Sequence, residues 1–133
     1  MKKRISFDTS YLVKLLKGNK KAVSVWEMVS KLEAEVVISP VVLFELRRLA
    51  LKQEKTERKK YEVLETALLN LAEVVAFDTE LALKAAAISH GTGLPARDAI
   101  IYTTAKESGC SEIYTADSDF KAVQGKKLKV IFI

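Results

Sequence analysis

One cysteine, Cys110, among 133 residues rules out an intrachain disulfide and a cysteine-built zinc cluster. Such scarcity fits a reducing cytoplasm. Histidine is equally rare: His90 stands alone, in SHGTG at an expected helix end. It reads there as a cap or dipole partner and not as a general base. No apolar run approaches the ~20 residues a membrane-spanning helix needs, so no membrane partner is expected. The opening MKKRISFDTS is basic but has no long apolar segment behind it. It reads as a first strand and not as a signal peptide. Repeats, low-complexity tracts and linkers are missing, so residues 1–133 are expected to form one domain. Nor is there an aromatic-studded platform of the kind that stacks single-stranded bases, which leaves base specificity without a basis.

What the chain does have is a core and a basic balance. Hydrophobic residues make up 49% and charged residues 29%, as in soluble globular proteins. The net charge is +5. If five acids, Asp8, Glu45, Asp98, Asp117 and Asp119, are gathered in one site, 12 acids remain against 22 basic residues, a balance of +10. Such a surface attracts polyanions while keeping a local acidic cleft.

Short apolar runs alternate with helical periodicity along the chain. KRISF at 3–7 reads as a strand ending at Asp8, followed by helices at about 10–17 and 21–32 on either side of the Gly18-Asn19 break. EVVI at 35–38 is a strand, and Ser39-Pro40 supplies an N-cap and a first-turn proline for the next helix. QEKTERKK marks a turn, then a helix covers about 57–71 and a strand 73–77. Asp78 caps a helix that ends at Gly91, residues 92–95 form a loop, and a helix over 97–108 is closed by Gly109. Strands at 112–116 and 128–133 complete the pattern. Helices between strands imply right-handed crossovers and a parallel sheet, and the near-continuous apolar strands imply helices on both faces. The expected fold is an α/β sandwich of three layers around about five parallel strands.

In such a sheet, ligands sit outside the carboxyl ends of the strands. Asp8 follows the first strand directly and Asp117 follows the fourth. Glu45 lies on the helix after the second strand, among Val41, Val42, Phe44, Leu46 and Leu49, where a buried carboxylate needs a partner such as Arg48, or a metal. Asp98 opens the helix before the fourth strand. Taken singly, Asp8, Asp98 and Asp117 read as helix caps and Asp119 as a first-turn acid. Taken together, carboxylates meeting at one edge repel one another, and a divalent cation resolves that repulsion. Oxygen-only ligands favour Mg²⁺ or Mn²⁺ over zinc.

Four pieces in order, ISFDTSYL, SPVVLFEL, ARDAIIYTTA and TADSDF, cover the chain from near its start to near its end. With them the chain resembles PIN-domain nucleases, especially the small toxins of VapBC toxin–antitoxin pairs. The resemblance implies strand order 3-2-1-4-5, Mg²⁺ or Mn²⁺ at Asp8, Glu45, Asp98 and Asp117, and RNA as substrate. Asp119 matches a more variable acidic position, and Thr9 and Thr115 match hydroxyl positions beside the acids. An antitoxin protein and a homodimer are implied as partners. A housekeeping RNA-processing enzyme or a non-catalytic RNA-binding module stays open as an alternative. A receiver domain would want paired acids after the first strand and a lysine after the last. A dehalogenase-type phosphatase would want an aspartate where Ser10 stands.

Basic residues cluster at 47–60 and 126–129, mostly as solvated helix surface, with Arg47 and Arg48 as candidates for gripping an RNA backbone. Tyr61, Leu64, Leu68 and Leu71 fall on one helix stripe, expected to pack against the preceding helix near Leu46 and Leu49.

Overall fold

The computed structural model describes residues 2–133. Strand β1 (Lys3–Phe7) leads into α1 (Thr9–Leu16) and α2 (Lys20–Ser30), then β2 (Ala34–Ile38), α3 (Pro40–Leu51) and α4 (Lys55–Leu71). β3 (Ala72–Val74), α5 (Thr79–Thr92), α6 (Ala96–Glu107), β4 (Glu112–Thr115), a 3-10 turn (Ser118–Val123) and β5 (Lys129–Phe132) follow. The five strands form one sheet in the order β3-β2-β1-β4-β5. Every neighbouring pair is parallel. All carboxyl ends therefore face the same edge, as expected, and that order is neither a receiver's nor compatible with a simple sequential sheet.

The centre is held by β1 and β4. Ile5, Phe7 and Ile113 are fully buried. Phe7 stacks on Tyr11 with ring centroids 4.2 Å apart, and Tyr114 meets Phe7 edge-on at 6.1 Å. The Tyr11 hydroxyl donates to the Ala22 carbonyl at 2.7 Å, which joins α1 to α2. The residue between Phe7 and the first turn of α1 is Asp8, so the aromatic stack fixes its backbone.

Several boundaries differ from expectation for local reasons. β3 ends at Val74, well short of 77, because its one partner, β2, ends at Ile38 and the chain then turns into α3. The last link is Val75 N–H to the Ile38 carbonyl at 3.1 Å. α5 runs through Gly91 to Thr92, and the left-handed residue that stops it is Gly93, at φ 80°. The Thr92 hydroxyl donates to the Ile88 carbonyl and accepts from Leu94 N–H, extending the helix past the first glycine. QEKTERKK is mostly helix: α4 begins at Lys55. Within it, Arg58 donates to the carbonyls of Ala50, Leu51 and Gln53, closing the C-terminal end of α3.

On α4, Leu64 and Leu68 are buried, Tyr61 is half-buried and Leu71 is exposed. Leu68→Ala should therefore cost about 2–5 kcal/mol in urea unfolding. Leu71→Ala should stay within about 0.5 kcal/mol of wild type.

Candidate metal centre

Asp8 stands at the N-cap position of α1 but makes no side-chain cap bond. Its Oδ2 instead accepts from Ser10 Oγ at 2.5 Å and from Thr115 Oγ1 at 2.9 Å. Ser10 Oγ in turn accepts from Ala116 N–H at 2.8 Å. Two hydroxyls thus join the turn after β1 to the turn after β4. The remaining oxygen, Asp8 Oδ1, is buried with no hydrogen-bond partner among the described residues.

Asp98 does not open α6. The N-cap is Pro95 and Asp98 sits in the first turn, so its carboxylate is not spent on capping. It is 1% exposed, and its Oδ2 is likewise buried and unpartnered. Buried polar atoms in folded proteins nearly always find a partner, so two such carboxylate oxygens at one sheet edge are unusual. Asp117 does cap: its Oδ1 accepts from Asp119 N–H at 2.9 Å. That geometry still leaves it in the cluster. One carboxylate oxygen each from Asp98, Asp117 and Asp119 lies within 4.8 Å of the other two.

Glu45 takes neither the expected partner Arg48 nor the acid ring. Its Oε1 accepts from Thr9 Oγ1 at 2.6 Å, and its Oε2 pairs with Arg97 Nη1 at 2.6 Å. Arg97 Nη2 lies 3.3 Å from Asp98 Oδ1 and 3.8 Å from Asp117 Oδ2. One guanidinium therefore meets three of the acids. Arg97 and Ser10 are the residues that sequence reasoning passed over. The serine appeared only as the wrong residue for a phosphatase, and an arginine beside an acid in a helix's first turn reads as surface. The sole signal for Arg97 was the excess of acids over any named cation.

A cleft of about 280 Å³ opens beside this cluster, lined by Asp8, Thr9, Ser10, Glu45, Arg48, Lys52 and Arg97. Arg97 borders both the cleft and the acid ring. Of the two candidate backbone grips, Arg48 lines the cleft. Arg47 does not, because Glu65 on α4 holds its guanidinium at 2.6 Å.

Burial pushes the Asp98 carboxyl up to about 6, and the Asp8 and Asp117 carboxylates push it the same way, against the pull of Arg97. The donor set is all oxygen, two of its oxygens lack partners, and its charges repel. These residues fit a hard divalent cation such as Mg²⁺ or Mn²⁺.

The raised Asp98 carboxyl makes a stability prediction. The fold favours its neutral form, so stability is greatest below the ordinary value of 3.8 and falls as pH rises through about 6. In metal-free buffer at pH ~7, Asp98→Asn should therefore melt higher than wild type. The gap should narrow as pH is lowered through about 6 and close only below about 3.8, and melting curves of the two proteins across that range check it.

The PIN domain family model matches residues 5–126. No curated protein matches the chain significantly. Among solved structures, VapBC2 from Rickettsia felis bound to a promoter DNA fragment is similar at TM-score 0.75 and 19% identity, over 97% of this chain and 98% of that one. FitAcB from Neisseria gonorrhoeae is similar at TM-score 0.70 and 25% identity, over 95% of each chain. DNA-bound VapBC from Salmonella typhimurium follows at 0.71 and 22%, over 99% and 98%. These likenesses concern the fold, and together with a family match across most of its length they mean that the chain belongs to the PIN domain family.

Proposed function

We propose that this protein is a metal-dependent endoribonuclease, the toxin of a toxin–antitoxin pair. The observation that carries the chemistry is the pair of buried, unpartnered carboxylate oxygens on Asp8 and Asp98, set beside a ring completed by Asp117 and Asp119. Toxin–antitoxin complexes among the structural neighbours support the biological role.

Asp8, Asp98, Asp117 and Asp119 would hold Mg²⁺ or Mn²⁺, with Glu45 facing the cleft. Such an ion supplies Lewis acidity toward a phosphodiester oxygen and toward water. The chain's own part is placement. Thr115 and Ser10 fix Asp8, and Thr9 fixes Glu45. Asp98 or Asp117 orients the attacking water, and no side chain serves as nucleophile. Hydrolysis of this kind leaves a 5′-phosphate and a 3′-hydroxyl. Arg48 and Lys52 at the cleft draw in the RNA backbone by charge, without reading bases.

Exposed apolar side chains on the α3–α4 pair support a protein partner. Phe44, Leu51, Val63 and Leu69 are each more than half exposed. An antitoxin segment covering this pair, and a second copy of the chain, complete the assembly we infer. A short antitoxin-like reading frame beside the gene distinguishes a toxin from a housekeeping RNA-processing enzyme.

Purified protein should cleave single-stranded RNA with Mg²⁺ or Mn²⁺ and not in EDTA. Asp98→Asn and Asp117→Asn should each lose activity on the order of 100-fold, the upper end of what losing even an outer-sphere metal partner costs. Their circular dichroism should be unchanged. Cleavage that persists in EDTA, or in Asp98→Asn, sinks the proposal.

Binding should show a second pattern. RNA affinity should fall steeply with salt, and Arg48→Ala should weaken it and flatten that dependence by about one phosphate contact. Arg47→Ala should have a smaller effect, because Glu65 already holds its guanidinium. Binding titrations at several salt concentrations separate the two.

A further inference from the structure

Arg97 occupies an electrostatically odd position. It lies in the first turn of α6, where the helix dipole disfavours a cation. It is the basic residue found in contact with the acid cluster, and it meets Glu45, Asp98 and Asp117 at once. Those carboxylates are well covered, with side chains 15%, 1% and 24% exposed. The arginine side chain is 54% exposed, so its charge reaches inward from solvent. It crosses from the cleft to the ring that would hold an ion. A guanidinium cannot release its proton under ordinary conditions, so it can yield its place only by moving.

We propose that Arg97 is a built-in counter-cation: anchored on Glu45, it neutralises the metal-free site and competes with the divalent ion for Asp98 and Asp117. This rests on the metal-centre reading above. One positive charge shared among three carboxylates holds the acids together when no ion is present. A divalent ion brings twice the charge at shorter range and displaces it. The open solvent side of Arg97 gives the guanidinium somewhere to go without disturbing the core. The cluster is thus held intact in the resting protein, and occupancy is set to begin only at a higher ion concentration than the acids alone would need.

The test measures ion binding and not catalysis. Mn²⁺ affinity is measured by electron paramagnetic resonance on the full chain, wild type and Arg97→Gln, at pH 8, where proton competition at Asp98 is small. Competition predicts that Arg97→Gln binds Mn²⁺ about two- to fivefold tighter, the scale of partly exposed ion pairs. It also predicts a lower melting temperature than wild type in EDTA and a larger rise on adding Mn²⁺. As a check that needs no substitution, nitrogen-15 spectra of the wild-type arginine side chains are followed with Mg²⁺. The Arg97 guanidinium should be restrained in EDTA and become mobile at saturation. Unchanged or weaker Mn²⁺ binding in Arg97→Gln, or a guanidinium still restrained in Mg²⁺, overturns the proposal while leaving the metal centre standing. Absence of Mn²⁺ binding in both proteins overturns the metal centre and this proposal with it.

Discussion

Repulsion among carboxylates at one edge of the sheet is the constraint around which the rest is arranged. Parallel strands deliver every carboxyl end to the same side, and the turns that leave them carry Asp8 and Asp117. The helix before β4 adds Asp98, and α3 adds Glu45. Asp8 and Asp98 are each 1% exposed, so water cannot screen them. The chain offsets part of the cost with short hydroxyl contacts to Asp8 and Glu45, and with one guanidinium. The rest appears as an Asp98 carboxyl displaced to about 6 and as oxygens left without partners. A fold that keeps such an arrangement gives up stability at that edge for a place to bind charge.

The opposite end of the same sheet is built in the other way. Arg4 on β1 pairs with Glu35 on β2 and Glu73 on β3, and its Nε–H donates to the Ser108 carbonyl. Lys3 pairs with Glu112 on β4. Opposite charges meet there across the strands, two glutamates on Arg4 and one on Lys3, as stable sheets prefer. The contrast within a single set of strands shows that the acid edge is not a general feature of this chain's surface, whose balance is basic.

Much of the fold was legible because its signals are local. Ser39-Pro40 marked the start of α3, and the serine does accept from Val41 N–H. Gly109, at φ 75°, marks the end of α6 as expected. Periodicity placed Leu64 and Leu68 inward. Local signals failed where two neighbours offer the same chemistry or where a distant partner decides. GTG presents two glycines, and only the hydrogen bonds of Thr92 and Leu94 select the second. The length of β3 depends on where β2 stops. The acids stood out because each follows a strand, interrupts an apolar helix or, like Asp98, stands near a helix start. Strand order came from family resemblance and not from periodicity. Arg97 went unseen because its partners are 52 residues upstream, one residue on and 20 residues downstream, and no spacing rule joins them.

The hydroxyl bridge from Asp8 to Thr115 spans 107 positions. A domain generally folds as a unit, and the ribosome delivers its N-terminal residues first. A nascent chain presents Asp8 and Glu45 early, but β4 has to slot in beside β1 before Thr115 and Asp117 reach them. During most of its own synthesis the polypeptide therefore lacks the assembled acid edge, which comes together only once the chain is almost complete.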